Sequence, residues 1–417
     1  MHIVFVHRHG PGQFVHIARR LIAEGWTVTL ICETIDRPVP GLRVLRYADT
    51  GGNSQAAGVQ KGAKSIPYIE AGRRVAAILN RMNFSGRKPD LVMGHTAWGG
   101  MSFIKDVLPD TPAIGYCEYY FQPKSGDVGF EPGETETLQQ RQTIRLRNAV
   151  QLTALDQVDC GISPTAWQKS RYPEAYRSKI LVHHEGIDCH RARPDPLATF
   201  RLADGTLLTA GDPVVTFAAR DLEPYRGFPQ FMRAAAMVAE HNPSVRFVVA
   251  GGDGVSYGQS AGEGTSWRKV LLEETGLAPD RIHFLGQIPH KDLIRLFQVT
   301  AAHVYLTYPF VLSWSLLEAM ACGAPIVGSR TAPVQEVIAH GKNGLLADFQ
   351  DVEQIAARIE DMLERPEAQQ TMRATARQTV QTRFELTDCV LRLQTFLQKI
   401  IARGSRSDGK ASQVQFP

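Results

Sequence analysis

The sequence predicts an α/β protein built from two parallel-sheet domains, on three observations. Short apolar runs rich in β-branched and aromatic residues alternate with segments of helical periodicity, the pattern of βαβ units. The stretch RARPDPLATF at 191–200 carries two prolines and interrupts that alternation, dividing the chain into two series of similar size. A length of 417 residues exceeds what one core usually fills, since single cores stop growing near roughly 250–300 residues.

In the first series, Ile3–Val6 reads as a buried strand and HRHGPGQF as a loop holding Gly10 and Gly12. Val15–Ala23 has the spacing of an amphipathic helix that stops at Gly25, and Trp26–Cys32 is the second strand. Residues 50–64 are rich in Gly, Gln and Ala and are expected to be a mobile loop, with a helix over Ile69–Asn80. LVMGH at 91–95 is a strand ending in His95, and AIGYC at 113–117 is another, followed by the long polar and aromatic loop EYYFQPKSGDVGFEPGE. Thr135–Thr153 is a long helix rich in Arg and Gln. CGIS at 160–163, a helix begun by PTAWQKSRYP and ended by Pro173, and the strand and turn KILVHHEGID at 179–188 complete the half.

The second series opens with a small hairpin, RLADGTLLT, turning at Asp204-Gly205. The strand VVTFAA, a helix over Pro229–Glu240, the strand RFVVAG, a Gly-rich loop, a helix over Trp267–Thr275, the strand IHFLG and a helix over Lys291–Val299 follow. In His303–Gly323 an apolar strand runs into a helix. Ser315 and Glu318 have the S-x-x-E spacing of a capping box, and Gly323 is placed to stop the helix. A helix start after a strand presents unpaired N–H groups and the positive end of a dipole, which suits a phosphate. IVGS, VQEVIA, GLLAD, a helix over Val352–Leu363 and a largely helical Ala368–Arg403 close the series, and the polar segment 405–417 is expected to be disordered.

The net charge is +4. That is compatible with anionic substrates or a membrane surface and too small to argue for nucleic acid. Six cysteines without a CxxC pair or metal-ligand spacing read as reduced core residues of a cytoplasmic protein. The strand-like IVFV at the start leaves no room for a signal peptide, and no apolar run approaches the roughly 20 residues that span a bilayer.

Gly10-Pro11-Gly12, with Glu33 twenty-one residues after Gly12, has part of a dinucleotide fingerprint, but Val15 stands where the third glycine belongs. A tight turn and a phosphate or acceptor loop remain open for it. Arg220 and Arg226, on the loop after VVTFAA, can converge on one diphosphate, since guanidinium forks match phosphate oxygens and stay charged. The alternative is a surface pair with one arginine bonded to Glu223. Gly252 and Asp253, in GGDG, allow close approach of the backbone to a ligand and equally make a simple turn. His95 is placed to orient or polarise a hydroxyl, or to be a satisfied structural residue. The run His183-His184-Glu185 is not spaced for one metal ion, and no D-x-D occurs, so neither a zinc site nor a nucleotide held through metal on paired aspartates is indicated.

Taken together, AARDLEPYRGF, VVAGGDG, IHFLGQIPHKDLIRLFQ, LLEAMACGAPIVGS and APVQEVIAHGKNGLLAD resemble, in order and spacing over roughly residues 214–348, the nucleotide-sugar-binding half of family-4 retaining glycosyltransferases. The GPG loop, DLVMGH, SPTAWQKSRYP and HHEGID are similar to elements of that family's first half. The resemblance implies the GT-B fold: two Rossmann-like domains facing across a cleft, with an acceptor domain over 1–192, a donor domain over 193–385 and a last helix at about 386–404 packing back on the first domain. It implies that Arg220 and Arg226 hold the donor diphosphate, that Glu318 bonds the ribose, and that Ser313, Trp314 and Ser315 meet phosphates or sugar through their backbone. Gln287 and Ile288 would lie near the base, Gly252 and Asp253 along the donor, His95 by the donor sugar, and Gly10 and Gly12 under the diphosphate. In one place the sequence departs from the family. The first Glu of its E-x7-E motif is here Phe310, which supplies no carboxylate, so the sugar is recognised through another group, with Glu118 and Glu185 as candidates, or activity is altered.

The implied reaction is transfer of a sugar from a nucleotide donor to a hydroxyl acceptor with retention and without an essential metal or cofactor, in the cytoplasm. The basic charge and the arginines at 141–147 permit a lipid-linked acceptor at the inner membrane surface; the plainer reading is a solvated helix face. The rival readings are a nucleotide-sugar epimerase or phosphorylase of the same fold, a non-catalytic sugar-nucleotide or glycan binder, and, most distant, a nicotinamide enzyme.

Overall fold

The computed structural model describes residues 1–47, 65–124, 126–134, 137–364 and 366–404. The expected loop at 50–64 and the expected tail at 405–417 lie outside the described residues. The chain forms two compact units, one of Met1–Gly186 with the chain from Leu386 onward, the other of Ile187–Glu385. Among the described residues no helix is long and apolar enough to cross a membrane.

Unit 1 is built on seven parallel strands: β1 His2–Val6, β2 Thr27–Cys32, β3 Arg43–Arg46, β4 Leu91–His95, β5 Ala113–Tyr116, β6 Cys160–Ser163 and β7 Ile180–Val182. They lie in the order β3-β2-β1-β4-β5-β6-β7. Successive side chains of β1 point to opposite faces, as a pleated strand requires. Ile3 and Phe5 join a cluster with Phe14, Ile17 and Leu21, while Val4 and Val6 join one with Val75, Leu79 and Met82. Helices therefore cover both faces, which explains strands that read as continuous apolar runs.

Unit 2 begins with the antiparallel hairpin β8 Thr199–Arg201 and β9 Leu207–Thr209, the turn expected at Asp204-Gly205. Its six-stranded parallel sheet comprises β10 Val214–Asp221, β11 Arg246–Gly252, β12 Ile282–Gly286, β13 Ala302–Tyr305, β14 Ile326–Ser329 and β15 Leu345–Ala347. Their order is β12-β11-β10-β13-β14-β15. In both sheets the strand order reverses beside the first strand, between β1 and β4 and between β10 and β13. Such switch points, at the carboxyl ends of the strands, are where open α/β sheets leave a crevice for ligand.

The chain passes between units at two places, and the first lies at Gly186/Ile187, ahead of the proline-rich stretch that marks it in the sequence. The reason is pairing with a distant part of the chain: the Ile187 N–H bonds the Phe384 carbonyl at 2.7 Å, and Ile187, Cys189 and Ala192 are buried with the core of unit 2. The segment expected as one largely helical run, Ala368–Arg403, is two helices, Pro366–Arg383 and Leu386–Gly404, broken where the chain returns. The second helix buries Val390, Leu393, Phe396 and Leu397 on the core of unit 1. The helix expected at Thr135–Thr153 runs over Leu138–Asp156, started by a capping box of Thr137 and Gln140.

Candidate functional site

In unit 2, the loop after β10 is held from below by Glu223. Its carboxylate is 0% exposed and accepts N–H bonds from Tyr257 at 3.0 Å and Gly258 at 2.9 Å, with Ser256 at 3.2 Å. Three successive backbone donors satisfy a charge that would otherwise be costly to bury. Glu223 thus ties the Gly-rich loop after β11 to the loop after β10, and is not the arginine partner the sequence offered as an alternative. Gly227, with φ +71°, starts the helix Phe228–His241 and lies against Leu306, where a side chain would collide.

Arg220 is exposed at the end of β10. Among the described residues no hydrogen bond or ion pair engages it, which leaves its guanidinium available to an anion. Arg226 is anchored instead: Nη1 donates to Thr307 Oγ1 at 2.8 Å and the Val311 carbonyl at 3.2 Å, and the group lies over the Tyr257 and Phe310 rings. Its Nη1 also approaches the Tyr305 hydroxyl at 3.5 Å, and that hydroxyl accepts the Ser313 N–H at 2.9 Å. Tyr305 at the end of β13 therefore connects Arg226 to the start of the next helix.

That helix is Trp314–Ala321. The capping box expected from Ser315 and Glu318 is not formed. Ser313 is the cap, its Oγ accepting from the Ser315 N–H at 3.3 Å and bonding Ser315 Oγ at 2.9 Å. The reason is that the helix starts earlier than the S-x-x-E spacing suggests, which places Glu318 in its second turn, free of the cap. Its carboxylate pairs with His290 Nε2 at 2.7 Å, at the start of the helix His290–Val299. Gly323, with φ +71°, ends the helix as expected: its N–H bonds the Met320 carbonyl and the Ala324 N–H the Ala319 carbonyl, both at 3.0 Å.

Other expected positions are scattered around this switch point. A Cβ on Gly252 would stand 2.7 Å from Asp221 Oδ1 and 3.0 Å from Gln287 Nε2, so Gly252 and Gln287 meet. Asp253 pairs with Arg268 at 2.5 Å, and Ile288 packs against the apolar cluster of Leu208 and Leu296. Trp314 packs partly buried against the core, and Ser315 lies in the first helical turn. Phe310 is 6% exposed, its ring 5.2 Å from that of Tyr225 and 5.1 Å from that of Tyr257. This aromatic cluster extends through a stack of Tyr225 on Tyr308.

In unit 1, His95 ends β4 beside the loop that follows β1. His95 Nδ1 accepts the Ala97 N–H at 3.1 Å, so Nε2 carries the proton that it gives to Glu118 Oε2 at 3.2 Å. Gln13 Nε2 donates to the other carboxylate oxygen at 2.7 Å, and Gln13 Oε1 accepts from His7 Nε2 at 2.7 Å. His7 Nδ1 accepts the His9 N–H at 3.1 Å. Burial, reinforced by His95, pulls His7 down to about 3, so it is the neutral form that fixes the orientation of Gln13. Trp98 stacks on His95 with ring centroids 3.9 Å apart.

The two glycines of the first loop are explained by packing. A side chain on Gly10 would strike Leu30, and one on Gly12, at φ +52°, would strike the His7 imidazole. Glu33, the acid of the partial dinucleotide fingerprint, is paired with Arg8 at 2.7 Å. Glu185 is buried and accepts a bond from the Tyr116 hydroxyl, lining a cavity with Gln13, His183 and Leu393.

The comparisons with known proteins follow this division. Residues 24–192 match the family model "Glycosyl transferase family 4 group", and residues 203–379 match "Glycosyl transferases group 1". A D-inositol 3-phosphate glycosyltransferase of Mycobacterium sp. (strain KMS) is 32% identical over 199 residues, 48% of this chain and 42% of that protein. Its counterpart in Mycobacterium marinum is 29% identical over 221 residues, 52% of this chain and 45% of that one. The chain thus spans less than half the length of these curated relatives. Among solved structures, sucrose-phosphate synthase from Thermosynechococcus elongatus is similar with TM-score 0.73 and 20% identity, covering 97% of this chain and 100% of that one. Anabaena HepE in complex with UDP is similar with TM-score 0.68 and 16% identity, covering 96% and 100%. These likenesses show the GT-B fold.

Proposed function

Starting from a chain made of a family 4 group and a group 1 glycosyltransferase domain, we propose that it transfers a sugar from a nucleotide-sugar donor to a hydroxyl acceptor with retention at the anomeric carbon. The observation that carries this reading is the grouping at the switch point of unit 2. There an unengaged Arg220 ends β10, and Arg226 is tied through Tyr305 to the Ser313-capped start of a helix. The leaving group is a nucleoside diphosphate, so the main task is to stabilise developing negative charge. Preorganised guanidinium groups and a helix N-terminus supply that without a metal ion. Glu318, oriented by His290, is the acceptor for ribose hydroxyls. The HepE structures with UDP and with UDP-glucose, and the inositol-phosphate substrate in the relatives' names, support a UDP-sugar donor and a polyol-type acceptor.

A screen of nucleotide sugars by thermal unfolding, with and without EDTA, tests the reading. A ligand that binds only the folded chain raises its melting temperature. UDP-sugars are expected to do so in EDTA as well, and product analysis is expected to give the donor's anomeric configuration. Failure of every nucleotide sugar to bind sinks the proposal. Phe310, enclosed by Tyr225 and Tyr257, favours a second reading, a sugar-nucleotide binder without transfer. Binding without hydrolysis or transfer across the donor panel would select it.

A further inference from the structure

We propose that Glu118 is the carboxylate by which unit 1 holds a hydroxyl of a polyol or sugar acceptor, with Gln13 as its positioning residue. The inference rests on the transferase reading above and adds to it a residue and a ligand chemistry.

Two carboxylates of unit 1, Glu118 and Glu185, lie beside the end of β5. Of the two candidates in unit 1, Glu185 is buried and its carboxylate is occupied by the Tyr116 hydroxyl. Glu118 is less enclosed. It follows β5, and with the ends of β1 and β4 it stands at the switch point of its sheet. Its side chain is 26% exposed.

Each Glu118 oxygen takes one bond from the protein, Oε1 from Gln13 and Oε2 from His95. A carboxylate has about four acceptor directions, so each oxygen keeps one for a ligand O–H. Gln13 cannot turn its amide over, because His7 Nε2 donates to its oxygen and the His7 tautomer is set by the His9 N–H. The chain His7–Gln13–Glu118–His95 therefore presents a fixed anion, with Trp98 stacked on its His95 member. A fixed carboxylate with an open acceptor direction on each oxygen suits a polyhydroxylated ligand, whose O–H groups donate to it.

The groups that face Glu118 are His7 and His95 from the β1 and β4 ends, and the hydroxyls of Tyr116 and Tyr172. Burial works against the Glu118 charge, but the hydrogen bonds from His95 and Gln13 outweigh it and hold the pKa below the ordinary glutamate value. Such a carboxylate is a poor proton acceptor and a good hydrogen-bond acceptor. It orients a hydroxyl and does not deprotonate it.

The test uses the full chain, UDP-glucose as donor, and D-inositol 3-phosphate or myo-inositol as acceptor probe, reading UDP release. Glu118→Gln, close to isosteric, is expected to lower kcat/KM for the polyol by about 100-fold, while KM for UDP-glucose rises less than about threefold. It is also expected to abolish the acid limb of the pH profile. Gln13→Ala removes a donor to Glu118 and is expected to move that limb to higher pH, a shift that a structural role alone would not give. Unchanged polyol kinetics or an unmoved acid limb overturns the inference while the transferase reading stands. An equal rise in KM for UDP-glucose moves the hydroxyl to the donor sugar and overturns the acceptor assignment. A wild-type chain that releases UDP but is not stimulated by either polyol overturns the ligand class. A wild-type chain that releases none overturns both readings.

Discussion

Glu318, in the second turn of one helix, meets His290 at the start of another, carboxylate to imidazole Nε2 at 2.7 Å. The carboxylate side chain is 14% exposed and the imidazole 41%, so the pair is partly open to solvent. A partner that orients a ligand-binding group typically matters by about 10–100-fold when lost. His290→Ala is expected to weaken nucleotide-sugar binding toward the lower end of that range, and Glu318→Ala toward the upper end. Both should leave stability within about 1 kcal/mol, as befits a partly exposed pair. Titration calorimetry with UDP-glucose, beside thermal unfolding, measures the two effects separately.

Arg220 and Arg226 are expected to behave differently although both are proposed to serve the diphosphate. Arg220→Ala should lower turnover by about 100- to 1,000-fold, the scale for losing one transition-state donor. Its melting temperature should not move, since the side chain is exposed and unengaged. Arg226→Ala should lower turnover and also cost about 1–3 kcal/mol, because the Val311 carbonyl and Thr307 hydroxyl lose their charged donor. Equal stabilities of the two variants would contradict the anchored geometry of Arg226.

Glu223 makes a prediction about order in the Gly-rich loop. In Glu223→Ala the N–H groups of Ser256, Tyr257 and Gly258 lose their acceptor, at about 1–3 kcal/mol for each group left unsatisfied and buried. Hydrogen exchange of those amides is expected to accelerate, with slower exchange retained at β10. Unchanged protection of residues 256–258 would refute the role given to Glu223.

Acid is expected to destabilise the protein through its buried histidines. Burial lowers His7 and His303 to about 3 and His183 to about 4, whereas the unfolded chain titrates near the ordinary value of 6.5. Between those values the unfolded state binds more protons, so stability rises with pH. The contribution is complete above about 6.5 and is lost as pH falls toward the folded values. Melting temperature should therefore drop steadily from pH 7 to pH 4. His303→Gln, which replaces a ring bonded to Thr216 Oγ1 at 2.9 Å, should flatten that slope.

Much of this architecture was legible because its signals are local. Apolar runs such as Ile3–Val6, and the helix stop at Gly323, depend on residues within a few positions of one another. The helix start at Ser313 was misread as a capping box because two serines lie two residues apart, and spacing alone favours the one with a glutamate three positions on. His290 as the partner of Glu318, Tyr305 as the link from Arg226 to Ser313, and Gln13 as the bridge to Glu118 carry no local signal. Each joins residues brought close only by strand order, Gln13 and Glu118 being 105 positions apart. The crossing at Ile187 was hidden for the same reason, since its partner is Phe384.

The helix Leu386–Gly404 has a consequence for the order in which the protein matures during synthesis. Unit 2 is one uninterrupted stretch and can close as soon as its last strand and helices emerge, since domains generally fold as units as the chain is made. Unit 1, although begun first, keeps an apolar face uncovered until Phe396 and Leu397 arrive, side chains worth about 1.5–3 kcal/mol each on burial. The residues of unit 1 that are made before unit 2 are thus among the last to reach their final packing. A nascent chain halted after Glu385 would carry a finished unit 2 and an unfinished unit 1, the part a chaperone or protease would meet.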